Sequence, residues 1–584
     1  MKAKHIVKEN KFLTANIIIG LVLTVIGALV SYKVLRTGFT ADEEYQLVLI
    51  YRLVKGDLPL REVWDTLQTS AFYGEFFMWL FVKITGSTEG SLLFLRSVGI
   101  VTQGVVCFVL YRTLKKHINP SAAVLVSFSL FCTYTKLIAI PDFSNLQVWS
   151  LVLMTCLLWN AYDHFREEKA RIGNLLVAIS ALFFCVAVLS SACIILVPVM
   201  IVFLLMLSDE GKLQRIFIFF GVCAVCAGLF IMAVFYANGF EDTVFGIEGI
   251  ISGDGTHNFS HLINGDSKII IYSKNIIKLL ILLAATAVFP VIVFFALRRK
   301  EALKHLPAII WIVESFAYTC FNWFIGKTGY EGLKLFIPVM MIVGAIYYFK
   351  KSKKDKESEM LPAFFGSLIG FFVFVNVLFI SNMSLILNLT FLNISALFSL
   401  VIIIYALERS GACKTAKILP GAFLLITALG TGLTLNLSPI GATVFDLSKE
   451  GEMKEGPSRG TIVSKEMAEI YDDNYRYFEE LTKEPRNVFI VTNYEKNESL
   501  TTLYMVNDSN VCHYTVNSTP TYGDRVLDYW DRYSRKKPDC VILQTDSARY
   551  DDMVWIYDSL LAGNDDFIMS ENGKIQYFIL QKES

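Results

Sequence analysis

The sequence predicts a polytopic α-helical membrane protein that carries a soluble α/β domain at its C-terminal end. Of its 584 residues, 54% are hydrophobic and 18% are charged. Apolar runs of about 20 residues, the length that spans a bilayer as a helix, recur between short charged loops. These runs stop near residue 438, so we predict a transmembrane part, 1–438, and a separate domain, 439–584. Basic and acidic residues number 53 each, and no excess positive charge indicates a nucleic-acid partner.

About thirteen membrane helices are predicted, and the charges of their loops set the topology. The predicted spans are 13–35, 91–111, 120–138, 143–162, 173–190, 191–207, 214–236, 276–297, 306–323, 332–349, 361–380, 384–406 and 416–436. The first is interpreted as a retained helix, because no convincing signal-peptide cleavage site follows it. The Lys- and Arg-rich loops then fall in the cytoplasm together with the N-terminus, and the 439–584 domain is extracytoplasmic.

Two places in this topology have alternatives. The run Phe72–Ile84 is short for a span, so an interfacial or re-entrant helix is predicted there, with a short crossing helix as the alternative. Only the non-crossing arrangement puts every basic loop in the cytoplasm. The spans 173–190 and 191–207 meet at Ser190-Ser191 with almost no loop, and one long tilted helix is the alternative at that point.

Two long outer loops are predicted, at 36–90 and 237–275. In the first loop a helix is expected from Asp42 to about Gly56, followed by a break at Leu58-Pro59. A second short helix is expected around Trp64, and both would lie in the membrane interface. The second loop has a Gly-rich centre, which predicts a mobile segment able to cover a site.

The residues after 438, called the tail below, are predicted to form a compact α/β domain. The predicted elements are buried strands at Val488–Thr492 and Cys540–Leu543, helices at Ser499–Val506, Asp524–Tyr533 and Tyr550–Leu561, and a hairpin of Phe567–Met569 with Gln576–Leu580. No Gly-rich phosphate loop follows either buried strand, so nucleotide binding has no support. Packing or partner docking is the expected role of the domain. Cys512 and Cys540 could form a disulfide in an oxidising space, and the sequence leaves this open.

Acidic side chains mark two turns on the predicted outer face. Asp42 and Glu43 follow the first span, and Asp142 follows Pro141 between the third and fourth spans. Ionisable residues at a membrane edge are candidates for function. A carboxylate there can remove a proton from an acceptor hydroxyl or amine, and a second acid can orient it. The alternatives are an acidic helix start for Asp42 and Glu43, and a helix N-cap for Asp142.

Cations near these turns could bind a phosphate. Arg96 and Lys334 each enter a predicted span from its outer end, and Lys327 lies nearby in sequence. A guanidinium or ammonium group at headgroup depth suits a lipid-linked phosphate, and snorkelling anchors are the alternative. His257 and His261 have a spacing that can bind zinc on a helix, but the sequence fixes no further ligand. No cofactor is therefore predicted as required, and a divalent metal at these histidines has little support.

The first outer loop resembles that of the GT-C glycosyltransferases. The resemblance rests on Asp42-Glu43, Tyr45, Gly56-Asp57, Leu58-Pro59 and Trp64-Asp65, followed by Phe72–Ile84, Gly86 and Arg96, with Pro141-Asp142 as the second acidic position. The branch it resembles is that of the protein O-mannosyltransferases and bacterial aminoarabinose transferases. A Lys that precedes the apolar run in the aminoarabinose branch is absent here, where the chain reads Leu67-Gln68-Thr69-Ser70. The resemblance covers about the first two hundred residues.

The resemblance implies an inverting membrane glycosyltransferase at the plasma membrane of a bacterial cell. The donor would be a polyprenyl-phosphate-linked sugar, and the acceptor a glycan, lipid or protein of the envelope. It makes Asp42 the candidate base, with Glu43 and Asp142 as catalytic supports. The candidate substrate contacts are Tyr45, Trp64, Gln68, Arg96, Lys327 and Lys334. The alternative functions are a flippase of lipid-linked saccharides and a scaffold whose outer domain binds a partner.

Overall fold

The computed structural model describes most of the chain. The described residues are 20–38, 41–134, 139–191, 194, 197–206, 211–253, 268–324, 329–352, 359–380, 392–410, 450–492, 500–513, 523–545 and 554–581. The predicted span 416–436, the two histidines His257 and His261, and Lys327 lie outside these residues. Lys334 lies in a described helix, but its side chain is not described.

Helices make up the part of the chain before the tail. The helices are α1 (20–36), α2 (Ala41–Val54), α3 (Ala71–Thr85), α4 (Ser91–Leu114), α5 (Pro120–Phe131), α6 (Phe143–Arg166), α7 (Ala170–Ser190), α8 (Pro198–Met206), α9 (Lys212–Asn238), α10 (Phe240–Gly253), α11 (Lys268–Leu297), α12 (Leu306–Phe324), α13 (Gly329–Ser352), α14 (Leu361–Ile380) and α15 (Asn393–Arg409). Among the described residues, five helices are long and apolar enough to cross a membrane: α4, α7, α9, α11 and α14. We conclude that this is a polytopic membrane protein.

The membrane helices differ in how much of their surface they bury. The helices α6 and α15 are buried over most of their length, and their side chains form the centre of the largest hydrophobic core. By contrast, α9 and α11 bury almost none of their apolar side chains inside the protein. An apolar helix that is unburied in the protein is suited to contact lipid chains. The bundle therefore has a packed centre and a lipid-facing rim.

The tail contains one mixed sheet and one small hairpin. Its elements are β1 (Glu450–Glu452), β2 (Ile462–Ser464), α16 (Lys465–Thr482), β3 (Asn487–Val491), β4 (Asn510–Val511), α17 (Gly523–Arg532), β5 (Cys540–Gln544), β6 (Phe567–Asn572) and β7 (Ile575–Leu580). The strand order is β4-β3-β5-β7-β6, with β3 parallel to both β4 and β5, and β7 antiparallel to β5. Side chains of α2, α3, α16 and one face of this sheet share a hydrophobic core. We call the side of the membrane helices that the tail covers the tail side.

The predicted tail elements lie close to observed ones, but two of the helices are of another type, and the sequence prediction missed α16 and the strands β1, β2 and β4. The segment Leu500–Asp508 is a 3₁₀ helix that bends at Val506 and Asn507, and Tyr557–Leu561 is a π-helical turn. The hairpin turns at Gly573, whose positive φ of 60° suits glycine. Cys512 and Cys540 are buried free thiols. They lie on opposite sides of β3. Cys512 donates its N–H to the carbonyl of Val488 from one side, and Cys540 of β5 pairs with Val488 from the other. They therefore form no disulfide.

The first outer loop is partly as predicted. The helix expected from Asp42 is α2, but the second short helix expected around Trp64 is wrong, because residues 56–67 form turns and only Gln68–Ser70 make a short 3₁₀ helix. Pro59 and the positive φ of Leu60 (60°) prevent a regular helix at this point. The short helix α3 returns to the tail side, because the loop after it pairs with the tail through the Gly90 N–H and the Gly456 carbonyl (3.0 Å).

One further helix boundary decides an open alternative, and another shows how the second outer loop begins. The break at Ser190-Ser191 is real, since α7 ends at Ser190 and α8 begins at Pro198. In the second outer loop, the helix α10 occupies residues up to Gly253, so the first part of that loop is ordered against the protein. Its Gly-rich centre falls mostly outside the described residues.

Candidate active site at the start of α2

Three carboxylates occupy the first turn of α2, where the positive end of the helix dipole favours negative charge. Their surroundings differ. Glu43 and Glu44 are buried, with 2% and 4% of their surface exposed, whereas Asp42 is partly exposed. Asp42 is therefore the member of this turn that a molecule from outside can reach.

Glu43 forms a buried ion pair with Arg96 of α4. The guanidinium donates from Nε to Oε1 (2.8 Å) and from Nη2 to Oε2 (2.6 Å) of Glu43. It also donates to the carbonyls of Leu35 (2.9 Å) and Gly38 (2.6 Å), at the end of α1. Arg96 is only 2% exposed. The structure thus brings together two residues predicted separately, and it ties the start of α2 to α1 and α4 through one guanidinium.

Asp142 caps the N-terminus of α6. Its Oδ1 accepts the N–H of Asn145 (2.8 Å), its Oδ2 accepts the hydroxyl of Ser144 (2.6 Å), and the residue is 1% exposed. This geometry favours the N-cap interpretation over direct chemistry. The turn nevertheless lies beside α2, because Nε2 of Gln46 donates to the carbonyl of Pro141 (3.5 Å).

Tyr45, Trp64 and Gln68 brace the loop between α2 and α3. The Tyr45 hydroxyl donates to Asp65. Gln68 is held at both ends of its amide, since Oε1 accepts the N–H of Leu60 (2.7 Å) and Nε2 donates to the carbonyl of Asp65 (2.7 Å). All three side chains are buried, with 2–4% exposed. In this structure their described contacts stabilise the loop, and their predicted contacts with substrate stay predictions.

Trp64 also connects the loop to the tail and to α10. Its ring lies edge-on to Tyr529 (5.1 Å between centroids), His513 (5.6 Å) and Phe245 (5.3 Å). Gly249 of α10 lies so close to the Trp64 ring that a Cβ atom there would come within 2.6 Å of it. The candidate site is therefore held by three separate parts of the chain.

A second buried ionic network, which the sequence analysis missed, lies at the other end of α2. Arg52 Nε donates to Asp57 Oδ2 (2.8 Å), and Asp57 also pairs with Lys536 of the tail. Glu62 pairs with Arg535 of the tail and accepts the N–H of Leu58 (2.8 Å). Arg52, Asp57, Glu62 and Lys536 are each at most 5% exposed. The sequence signal was Arg52, a cation within the otherwise apolar second half of α2.

Burial shifts titration in this second network. Desolvation lowers the pKa of Lys536, although Asp57 opposes the shift. Desolvation, with help from the nearby Arg52 cation, lowers the pKa of His513 to about 3. His513 is therefore neutral at physiological pH. No group of three His, Cys, Asp or Glu side chains among the described residues is arranged to hold a metal ion.

Comparisons with known proteins yield structural neighbours only. No protein-family model matches the chain, and neither does any curated protein. One neighbour is the archaeal oligosaccharyltransferase AglB from Archaeoglobus fulgidus in complex with an inhibitory peptide and a dolichol-phosphate. It is 13% identical over 92% of this chain and 71% of that chain, with a TM-score of 0.44. The A. fulgidus oligosaccharyltransferase in complex with Zn and sulfate is 12% identical over 90% and 68%, with a TM-score of 0.46.

A third neighbour is ArnT from Cupriavidus metallidurans in the apo state. It is 10% identical over 97% of this chain and 98% of that chain, with a TM-score of 0.37. These neighbours are membrane glycosyltransferases of the GT-C superfamily, the class that the first outer loop resembles. At such identities and TM-scores the similarity assigns no role to any residue.

Proposed function

We propose that this protein is a GT-C-type glycosyltransferase that moves a sugar from a polyprenyl-phosphate donor to an envelope acceptor, with inversion at the anomeric carbon. The observation that carries the proposal is the contrast within the first turn of α2. Asp42 is accessible, while its neighbour Glu43 is locked in a buried pair with Arg96. A reachable carboxylate on a rigidly held helix start is what a general base needs.

In the proposed reaction, the carboxylate of Asp42 accepts one proton from the acceptor. The acceptor hydroxyl or amine attacks the anomeric carbon from the face opposite the phosphate, and its proton passes to the Asp42 carboxylate. The bond between the anomeric carbon and the phosphate oxygen breaks, and polyprenyl phosphate leaves with the electron pair. Holding the acceptor against Asp42 in this geometry supplies much of the rate.

Glu43, Arg96 and Asp142 act as positioning residues in this proposal. Arg96 is engaged with Glu43 and two backbone carbonyls, so it fixes the direction in which α2 begins. This revises the expectation that Arg96 clamps the donor phosphate. Asp142 fixes the turn whose Pro141 carbonyl accepts from Gln46. Lys327 and Lys334 remain the proposed phosphate contacts, and Tyr45, Trp64 and Gln68 shape the loop between α2 and α3.

The test is turnover by purified protein in nanodiscs supplied with the polyprenyl-phosphate sugars of the host. We expect Asp42→Asn to lower the release of polyprenyl phosphate by at least about 100-fold, the usual range for a lost general base. Its thermal midpoint should equal that of the parent. The matched control is Glu469→Gln, an exposed acid on α16 whose loss should leave turnover unchanged. Parallel assays with EDTA show whether a divalent cation is needed.

Either of two results would overturn the proposal. Equal turnover by parent and Asp42→Asn would make Asp42 only an acidic helix start. If the parent releases no polyprenyl phosphate from a verified donor pool, movement of the intact lipid across the bilayer becomes the function to assay, and that would support the flippase alternative.

A further inference from the structure

Two buried amide side chains of the membrane part have an NH₂ group that finds no hydrogen-bond partner among the described residues. Gln147 in α6 is 1% exposed and Asn376 in α14 is 5% exposed. Within the described residues, no group accepts a hydrogen bond from Nε2 of Gln147 or from Nδ2 of Asn376. Buried amides normally find partners, because leaving one unsatisfied is costly. The missing partners of these two amide groups therefore need a physical explanation.

Polar groups on the neighbouring seam show that this fold can satisfy such atoms. Where α14 meets α15, the hydroxyls of Ser367 and Ser399 share a hydrogen bond (2.8 Å). The hydroxyl of Ser395 donates to the Ser367 carbonyl (2.5 Å). All three serines are buried. The fold thus satisfies some of its buried polar groups but, among the described residues, not the two amides, nor Nε1 of Trp159 in the same helix α6.

The helices α6 and α14 run in opposite directions. Asp142, at the start of α6, lies on the tail side beside Gln46. At the far end of α6, Arg166 lies 4.0 Å from Glu359, just before α14 begins. The two helices meet where Gly366 faces Thr155, since a Cβ atom on Gly366 would come within 2.9 Å of the Thr155 side chain. This contact fixes their register.

The register puts both amides at about the same depth in the bundle and on the same side of this helix pair. Gln147 lies eight residues from Thr155 toward the tail side, and Asn376 lies ten residues from Gly366 in that direction. At 1.5 Å per residue these steps are about 12 Å and about 15 Å. At 3.6 residues per turn, each amide points about 80° away, around its own helix axis, from the direction of the contact between the helices. Because the helices are antiparallel, both amides then point to the same side of the plane that contains the two helix axes. Axes of packed helices are about 8–10 Å apart, a gap that one sugar ring can bridge.

The chemistry of the two helices favours a neutral ligand. The whole of α14, and α6 before Asp163, contain no Asp, Glu, Lys or Arg. Phosphate is usually bound by Arg or Lys, which are absent here. An amide both donates and accepts, and so does a sugar hydroxyl, so the two match. Gln147 also lies only about 7 Å below the Asp142 cap, which is next to α2.

We propose that Gln147 and Asn376 bind hydroxyl groups of the sugar carried by the lipid-linked donor. This inference rests on the proposed function, because it names the part of the substrate that the site beneath α2 holds. The two amides position the ring, and the polyprenyl phosphate is held elsewhere.

Binding is tested by thermal stability with and without lipid, using Gln147→Met, Asn376→Leu and the double variant. The matched control is Ser399→Ala, which removes a buried polar group that already has a partner. The probes are the polyprenyl-phosphate sugars extracted from the host and polyprenyl phosphate without a sugar. Asp42→Asn serves as the background that binds donor without turning it over.

We expect each amide variant to be at least as stable as the parent without lipid, because it removes an unsatisfied group. The upward shift of the thermal midpoint with donor should shrink, corresponding to a dissociation constant at least about tenfold higher for each lost hydrogen-bonding group. Ser399→Ala should keep the full shift. Polyprenyl phosphate without a sugar should shift the parent and all variants equally.

Three results would overturn the inference. An undiminished donor shift in the double variant would show that the amides bind no ligand. An equal loss of the shift with polyprenyl phosphate alone would assign them to the phosphate instead of the sugar. A parent that no donor stabilises would remove the basis for a sugar subsite. Failure of the proposed function is distinguishable, since turnover could be absent while amide-dependent donor binding persists.

Discussion

The two ends of α2 are both held by buried ions, but by different parts of the protein. At its start, Glu43 pairs with Arg96 of a membrane helix, and the pair is completed by backbone carbonyls of α1. At its end, Arg52 pairs with Asp57, and Asp57 pairs with Lys536 of the tail. Tyr51 adds a hydrogen bond to the Ser509 carbonyl of the tail (2.6 Å). The helix that carries Asp42 is therefore fixed to the bundle on one side and to the tail on the other.

The difference shows what each attachment can do. A single ion pair with shared backbone acceptors fixes a direction, which suits the end next to the candidate base. A network that crosses from loop to tail fixes one docking arrangement of two parts of the chain. Buried ion pairs gain little stability over apolar contacts, but losing one partner of a pair is severe. Removing single members of each network is therefore the sharpest way to compare the two ends.

The largest effect is expected from Arg96→Met. It leaves Glu43 charged and buried without its partner, which should destabilise the protein by about 3–5 kcal/mol and abolish turnover. The double variant Arg96→Met/Glu43→Met removes both charges and should recover much of the stability but not the turnover. Thermal unfolding and polyprenyl phosphate release measure the two quantities. A single variant as stable as the parent would contradict the role of this pair.

The next effect depends on pH and concerns the tail end. His513 has an ordinary pKa of 6.5 but about 3 in the folded protein. Between these values the unfolded chain binds a proton that the folded protein does not, so stability falls as the pH falls below 6.5. The loss approaches about 1.4 kcal/mol per pH unit, or about 2–3 kcal/mol at pH 4.5. His513→Phe keeps an aromatic ring beside Trp64 and Tyr529 and should remove this part of the acid sensitivity.

The measurement is the thermal midpoint of parent and His513→Phe from pH 7.5 to 4.5. The two curves should separate as the pH falls, with the variant less affected. His164→Gln, at a partly exposed position in α6, is the control and should follow the parent. Parallel curves for parent and His513→Phe would show that His513 titrates normally in the folded state.

Lys536→Met should have a smaller effect than Arg96→Met. Asp57 keeps its bond to Arg52 after the change, so the remaining charge is not isolated, and a loss of about 1–3 kcal/mol is expected. The effect should appear as faster proteolysis of the tail and as lower turnover without loss of the membrane helices. Lys537→Met, an exposed neighbour, is the matched control. If both variants behave alike, the network does not hold the tail on α2.

The comparison also shows how far sequence reasoning reaches. The sequence predicts features that are periodic or local. These are the membrane class, the start of α2, the two acidic turns and most tail elements. Arg96 illustrates the limit. Its position at the outer end of a span is visible in the sequence, but its pairing with a residue 53 positions earlier is not. Such pairing depends on how helices pack, so the sequence left Arg96 as a candidate phosphate ligand or a snorkelling anchor.

Trp64 and the tail network show the same limit at the other end of α2. Tryptophan beside an acid in an outer loop fits both an interfacial anchor and a substrate contact. The structure instead packs Trp64 against Tyr529 and His513, residues more than 400 positions away. Asp57 and Glu62 likewise find their partners in the tail. No spacing rule within the loop could identify these partners.

The smallest effect is expected at Asp142, and it separates the two acidic turns most directly. Asn is also a good N-cap, so Asp142→Asn should change stability by no more than about 0.5 kcal/mol and keep most of the turnover. Asp142→Ala, which removes the cap, should cost about 1 kcal/mol. If Asp142→Asn instead abolishes turnover as Asp42→Asn does, while the thermal midpoint stays at the parent value, Asp142 takes part in the chemistry. The two turns would then share one reaction, and the N-cap bonds to Ser144 and Asn145 would serve to orient a second acid.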